Sequence, residues 1–464
     1  MNVDLLEARL AAAGGGPGGS GSGRRRECAD QVLDRVARTL GDVERRHGGG
    51  PGGARAWTER FRALMAQNRF WPSLRILHNC GTRYGQLASW YVLPLADDFD
   101  GVFDTLKTAA ACHRSGVGTG FDLTAMRERG APVRGARQGF ASGPVSWLRL
   151  FDAETAVVIQ GGQGVGANLA ALAVDHPDIL EFLDARRTPG DLSTFRLAVA
   201  VDDVFMNAVA SDGTLRLVSP HDGSLTGTLP ARGLWRRICA DALAARDPGL
   251  VFTDALRRGN PFEGPPLQPY SSAHLGAVNL AAFAAPGGRD GIDWDGLRRT
   301  VGEAVRLLDN AIDASHYPDP RITRLAHEHR RLGLGVMGFA DLLAALGVPY
   351  ESDTALDLVD LLGTAISDAA WTASAELAEE RGAFPHWRYS NLSVPARNCS
   401  ITDLTPARGC AEIAGCSPGI DPGFGIPPSG PQQVRLQARW QRYTDCAVAK
   451  SVMLPPGATP EDVG

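Results

Sequence analysis

From about Trp57 to the end of the chain, short apolar blocks alternate with Gly-rich turns and longer amphipathic stretches. Trp90–Leu95, Leu197–Val201, Leu215–Val218 and Gly333–Phe339 are brief and apolar, which predicts strands. Trp235–Ala245, Val301–Ala314 and Thr354–Arg381 repeat apolar residues at helical spacing, which predicts helices. Strands interleaved with helices predict an α/β fold with much parallel sheet. Upstream, Val32, Leu33, Val36, Leu40 and Val43 predict one short amphipathic helix. Residues 12–26 and 47–54 on either side are rich in Gly, Pro, Ser and Arg. Such segments bury too little apolar surface to offset their ordering entropy, so both are expected to be flexible. The expected organisation is a Gly/Arg-rich segment over 1–56 and one compact domain over 57–464.

Composition narrows the function classes. The chain has 464 residues, 44% hydrophobic and 21% charged, enough to build a large core. A net charge of -5 argues against a nucleic-acid partner. No apolar run reaches membrane-spanning length, and the first residues show no signal-type pattern, so a cytoplasmic protein is expected. Eight scattered cysteines with no C-x-x-C pair argue against a zinc ribbon and against a disulfide framework. His176 and His316 stand alone and read as structural histidines, so no metal is expected.

Eight collinear blocks carry a resemblance. They are Gly81–Leu87, Gly101–Lys107, His113–Phe121, Ala141–Ser146, Val174–Phe182, Leu275–Leu280, Gly333–Leu343 and Ile413–Pro422. Together they resemble the catalytic (large) subunit of ribonucleotide reductase, closest to the adenosylcobalamin-dependent class II enzymes, from Trp57 to Val463. The resemblance implies a ten-stranded α/β barrel with a finger loop inside it. Class II relatives normally continue beyond the end of this chain through another barrel strand, so a chain complete as given would lack one strand. It also implies adenosylcobalamin, a nucleotide ligand, a role in DNA biosynthesis and a homodimer. The dimer would form through helices near Asp98–Ala111 and Ser146–Val158. In the latter, Leu148, Leu150, Phe151 and Ala156 are expected to make an exposed apolar face.

Ribonucleotide reduction needs a thiyl radical, a carboxylate base and a dithiol pair. The family's finger loop reads Asn-x-Cys-x-Glu. Here the matching positions hold Asn260, Phe262 and Gly264, with Glu263 one position off as a possible substitute base. The two positions of the reducing pair hold Trp90 and Ala273. The two aromatics, Trp90 and Phe262, are expected to narrow the former nucleotide pocket. Cys80 is the candidate for a relocated thiol, against a simpler role as core filler. The family's phosphate loop, rich in Ser and Thr, reads Pro406-Ala-Arg-Gly-Cys-Ala411 here, leaving Arg408 as a possible phosphate fork. Leu74 stands where a serine is expected near the ribose. The specificity loop Gly161–Asn168 lacks both family arginines.

Family positions that do match are Ser142, Gly143, Gly161, Gly162, Asn168, Asn260, Asn279, Gly415 and Gly419. The resemblance places Ser89, Ser142, Gly143, Asn260, Arg408 and Gly415 at the substrate. It places Arg127, Arg134, Arg137, Gly161, Gly162 and Asn168 in the effector loops, where Arg129 also falls; a solvated loop is the plainer reading of these arginines. Three functions remain open. The first is a reductase homologue without reductase activity. The second is a repurposed barrel enzyme, with or without cobalamin, acting on a non-phosphorylated small molecule. The third is an active reductase with relocated catalytic residues.

Overall fold

A computed structural model describes residues 27–133, 139–158, 167–188, 190–262, 268–286, 291–405, 408–422, 429–455 and 457–463. Among them the strands run, in chain order, β1 Phe70–Pro72, β2 Trp90–Leu93, β3 Gly118–Asp122, β4 Asn168–Ala173 and β5 Phe195–Val201. They continue with β6 Thr214–Val218, β7 Leu225–Pro230, β8 Gly249–Phe252, β9 His274–Asn279 and β10 Leu332–Met337. The predicted strands at β2, β5, β6 and β10 are all present, as are the helices Ala231–Ala245, Trp294–Ala314 and Asp353–Arg381.

The described residues form two compact units. The first comprises the described parts of Met1–Ser89, Gly259–Gly264 and Ser271–Pro455. Its sheet has the order β1-β9-β10, with β1 antiparallel and β10 parallel to β9. Parallel bridges Leu334↔Thr402 and Leu404↔Val448 add two further segments. Every residue of β10 is buried, as expected for a parallel strand covered on both faces. The helix Trp294–Ala314 lies against β9 and β10, and Asp353–Arg381 packs on that helix.

The second unit comprises the described parts of Trp90–Arg258, Pro265–Tyr270 and Pro456–Gly464. Its sheet is fully parallel, in the order β2-β3-β4-β5-β8. Parallel neighbours need crossover connections, and helices Phe99–Arg114, Pro144–Val157 and Ile179–Ala185 supply the first three. The antiparallel hairpin β6–β7 stands apart from this sheet. Counting the two bridged segments with the named strands, five paired segments stand in each unit among the described residues.

Two sequence expectations at the N-terminus meet different outcomes. The amphipathic helix forms as Ala29–Asp42, and Val32, Leu33, Val36 and Leu40 are fully buried. Residues 47–54, expected to be flexible, instead enter the helix Gly50–Ala66, which begins with Pro51 in its first turn. Phe61, Leu64 and Met65 of that helix are buried, so packing overrides the poor helix propensity of its glycines. Gly41 is needed at the crossing: a Cβ there would collide with the Thr58 hydroxyl. The expected boundary at 56/57 therefore falls inside a helix, and this helical pair belongs to the hydrophobic core of the first unit. Residues 12–26 lie outside the described residues.

A buried ion network binds these helices to the sheet. Glu44, 1% exposed, accepts from Arg306 (2.9 and 2.6 Å), Arg381 (2.7 Å) and Asn310 (2.7 Å). Asp309, wholly buried, meets Arg330 (2.8 Å), Arg381 (3.2 Å), Arg397 (3.4 Å) and Asn398 (3.0 Å). Asp313 adds Arg330 (2.8 Å) and His47 (3.1 Å). Burial pushes the Glu44 carboxyl up, but hydrogen bonds from Arg306, Asn310 and Arg381 outweigh it and hold the pKa at about 2.

Removing one partner of such a network leaves buried charge unpaired. Glu44→Gln is expected to lower unfolding stability by about 3–5 kcal/mol, measured by urea denaturation at pH 7. The pH dependence follows from the sign of the shift. A carboxyl whose pKa is depressed on folding contributes fully above its ordinary value of 4.5 and loses that contribution as pH falls through about 2. Stability of the parent chain should fall between these values more steeply than that of Glu44→Gln; equal slopes would refute this role for Glu44.

Candidate functional site

The finger position lies in the first unit. The Phe262 ring stacks on the His329 imidazole, with centroids 4.3 Å apart and planes 19° from parallel. Phe384 meets it edge-on at 6.3 Å. The backbone is held on both sides: Phe262 N–H donates to Asn260 Oδ1 (3.3 Å), and the Pro261 carbonyl accepts from Asn391 N–H (2.9 Å). Asn260 is itself buried. His329 Nε2 is 3.1 Å from His386 Nδ1. Burial, then the charges of Arg331 and His386, push the His329 pKa down to about 3, so this imidazole stays neutral. Glu263 and Gly264 lie outside the described residues.

Ala273 immediately precedes β9 and is fully buried. Its carbonyl accepts from Ser89 N–H (3.1 Å), and Ser89 itself is half-buried. In the register of β9 and β10, Leu332 pairs with His274, so Arg331 and Ala273 are the next residues out on neighbouring strands. Cys80 sits elsewhere in this unit. It closes the helix Leu74–Asn79 inside the hydrophobic core, where burial pushes its thiol up to about 12. Its carbonyl accepts from the Arg35 guanidinium of the N-terminal helix. That environment makes the thiol inert and fits core filler.

The altered phosphate segment is also in this unit. Arg408 is largely exposed and 3.9 Å from Asp421. Asp421 also takes Lys450 Nζ at 3.0 Å, from a side chain that is fully buried. Burial lowers the Lys450 pKa. Lys450 carried no motif and went unnoticed in the sequence. Gly415 and Gly419 adopt φ of 74° and 56°, the left-handed region that glycine enters without strain. Asn279 is buried, and its Nδ2 donates to the Asn68 carbonyl (3.0 Å).

In the second unit, Trp90 begins β2 and is half-buried, paired with Gly118. Ser142 is exposed, and its carbonyl accepts from the Ser146 hydroxyl at 2.9 Å. Gly143 caps the helix Pro144–Val157 with φ 79°, and a Cβ there would come within 2.7 Å of Asp178 Oδ2. Asn168 is not placed as an open loop residue. It begins β4, is buried, and bonds Thr155 (2.8 Å), Thr194 (3.2 Å), Thr119 (2.5 Å) and His113 (3.0 Å). His113 continues to Glu154 at 3.1 Å. This network fixes β3 and β4 to two helices and leads into residues 159–166, which include Gly161 and Gly162 and lie outside the described residues.

The two described arginines of the effector region are already paired. Arg127 donates to Asp97 (2.7 Å) and to the Pro132 carbonyl (2.7 Å). Arg129 grips Glu181 with both Nε and Nη2. Arg134 and Arg137 lie outside the described residues. The expected apolar face of Pro144–Val157 needs correction in part: Leu148 and Phe151 are fully buried, Leu150 is half-buried and Ala156 is exposed. The large apolar residues exposed on this helix and on Phe99–Arg114 are Phe99, Phe103 and Val157. Among the described residues no group of three His, Cys, Asp or Glu is placed to hold a metal, and all eight cysteines are free thiols. No helix of the described residues is long and apolar enough to cross a membrane.

Comparison with known proteins agrees with this framework. Residues 88–396 match the family described as "Ribonucleotide reductase, barrel domain". The chain is 43% identical over 419 residues to the vitamin B12-dependent ribonucleoside-diphosphate reductase of Mycobacterium tuberculosis, covering 87% of this chain and 60% of that protein. A protein of the same name from Thermoplasma acidophilum is 38% identical over 386 residues, covering 80% of this chain and 50% of the relative. The ribonucleoside-diphosphate reductase subunit alpha of Chlamydia trachomatis is 28% identical over 382 residues, covering 72% and 36%. The chain thus spans about 60% or less of the length of these curated relatives. With its barrel segments, its collinear motifs and these matches in accord, the chain belongs to the ribonucleotide reductase large-subunit family, in its class II branch.

Proposed function

We propose that this chain keeps the reductase framework and does not reduce ribonucleotides. One observation carries the reading: at the position where the family carries its radical cysteine stands Phe262, its ring stacked on His329. The absence of a carboxylate at Gly264 and of thiols at Trp90 and Ala273 supports it. These groups act as one unit in reduction, so the loss of one member already removes most of the rate.

Adenosylcobalamin, implied by the family, supplies a radical that needs a protein sulfur to receive it. The residues at the finger do not fit that use. Phe262 offers no sulfur, and the inert Cys80 packs against the N-terminal helix in the core. No step is therefore routed through the cofactor.

A second reading is a repurposed barrel enzyme acting on a non-phosphorylated small molecule. The segment after Thr405 favours it. Both nearby cations, Arg408 and Lys450, share the Asp421 carboxylate, and the hydroxyls of a phosphate loop are absent. The proposal also extends to a homodimer in the cytoplasm. Phe99 (67% exposed) stacks near Phe103 with ring centroids 4.6 Å apart, and Trp147 lies edge-on to Phe103 at 6.3 Å. A paired aromatic surface of this kind fits a symmetric partner.

The decisive assay measures deoxynucleotide formation from ribonucleoside di- and triphosphates with adenosylcobalamin and a dithiol. No product above a no-enzyme control is expected, and Phe262→Cys alone should not restore turnover. Product that disappears on mutating Cys80 or Glu263 would show instead that the chemistry has moved. For assembly, light scattering at micromolar concentration should give a dimer, and Phe99→Asp with Phe103→Asp should give a monomer. A monomeric parent chain would refute the dimer.

A further inference from the structure

Arg330 and Arg331 are adjacent and chemically identical, yet the fold treats them differently. Arg330 is spent on Asp309 and Asp313 in the ion network. Arg331 is 5% exposed, and among the described residues its Nε and Nη2 have no hydrogen-bond partner. A buried guanidinium with open donors is expensive to maintain and rare. The open atoms form one edge of the fork. It is the edge with which Arg129 grips Glu181, Arg35 grips Glu27 and Arg149 grips Asp191 in this same chain. That edge is shaped to take two oxygens of a carboxylate.

The surroundings belong to the finger region. The charge of Arg331 acts on His329, whose ring carries Phe262, and Ala273 flanks Arg331 on the neighbouring strand. The acids facing Arg331 are Asp403 and Asp445; the thiols of Cys399 and Cys446 also face it, and burial keeps them protonated. Asp445 is already committed: Oδ2 accepts the Ile401 and Thr402 N–H groups at 2.9 Å, and Oδ1 accepts from Trp371 at 3.3 Å. Asp403 accepts from the Thr405 hydroxyl at 2.8 Å, and burial pushes its carboxyl up. Two acids beside the cation repel a phosphate dianion more strongly than a singly charged carboxylate.

The geometry points to Arg331 as the anchor of a binding site for a small monocarboxylate with an apolar or aromatic body, seated beside Phe262, Ala273 and the Cys399 thiol. This deepens the second reading above, a non-phosphorylated substrate, and rests on it. Arg331 is a binding residue in this assignment, and no reaction is assigned to Cys399.

Benzoate labelled with carbon-13 at the carboxyl is the probe, titrated into the full chain and followed by NMR line broadening. Saturable binding is expected in the parent chain. It should weaken about tenfold or more in Arg331→Gln and recover in part in Arg331→Lys, since a charge-assisted hydrogen-bonded pair is lost and then partly restored. Inorganic phosphate should not displace it. No saturation, equal binding in a natively folded Arg331→Gln, or displacement by phosphate at the benzoate concentration would overturn the site. If Arg331→Gln does not fold, phenylglyoxal modification of the parent chain decides. Benzoate should slow modification of Arg331, mapped by mass spectrometry, and an equal rate with and without benzoate would overturn it. Deoxynucleotide formation tests the parent reading separately. A chain that makes deoxynucleotides and still binds benzoate at Arg331 keeps the site and loses the reading.

Discussion

Everything in the first unit hangs on three carboxylates and four guanidiniums brought out of water together. Glu44, Asp309 and Asp313 face Arg306, Arg330, Arg381 and Arg397, and the exposed Glu380 meets Arg306 at the edge of the network. A desolvated charge must be paired where it stands, so the network fixes geometry even where its net stabilisation is modest. It ties the N-terminal helices to Trp294–Ala314, to the end of Asp353–Arg381, and to the leading ends of β10 and the segment 397–404. Those leading ends carry Arg331 and Cys399. The position of the candidate site is therefore set by charges that have no part in its chemistry.

Periodicity made the elements legible, because burial on one face imposes its period on the residues. Val32 to Leu40 and the run before Ala314 read correctly for that reason. Where two faces of a helix are both apolar, period alone does not say which one is inside. Leu148 and Phe151 were expected outside and lie in the core, while Val157 on the same helix is exposed. The Gly-rich stretch before Trp57 misled in the opposite direction. Its composition argues for a flexible segment, but the neighbouring helix offers a surface, and Gly41 permits close approach.

The site was legible as a set of family positions and illegible as an environment. The sequence places Phe262 at the finger, but only the fold shows its ring lying on His329. Arg127 and Arg129 read as free cations, yet each has found a carboxylate far along the chain. Cys80 and Cys399 look equivalent as cysteines. One packs against the N-terminal helix, and the other accompanies an unpartnered guanidinium. Pairing of buried charge depends on long-range neighbours, and no local pattern of residue types encodes it.

Under the proposed reading, the same physics accounts for a framework that is kept while the reactive groups are not. Gly143 has no room for a Cβ, and Asn168 satisfies four partners inside a closed network. Replacing either would create a clash or strand buried polar atoms, each a penalty felt by the whole fold. Phe262 and Ala273, by contrast, put apolar side chains where the family has thiols. Cysteine behaves as a small hydrophobe in a packed interior, so such exchanges leave no donor or acceptor unpaired. Selection on folding alone would hold the first group in place and let the second drift. Arg331 fits neither pattern, since an open buried guanidinium burdens the fold. That burden is the physical reason to look for a ligand there.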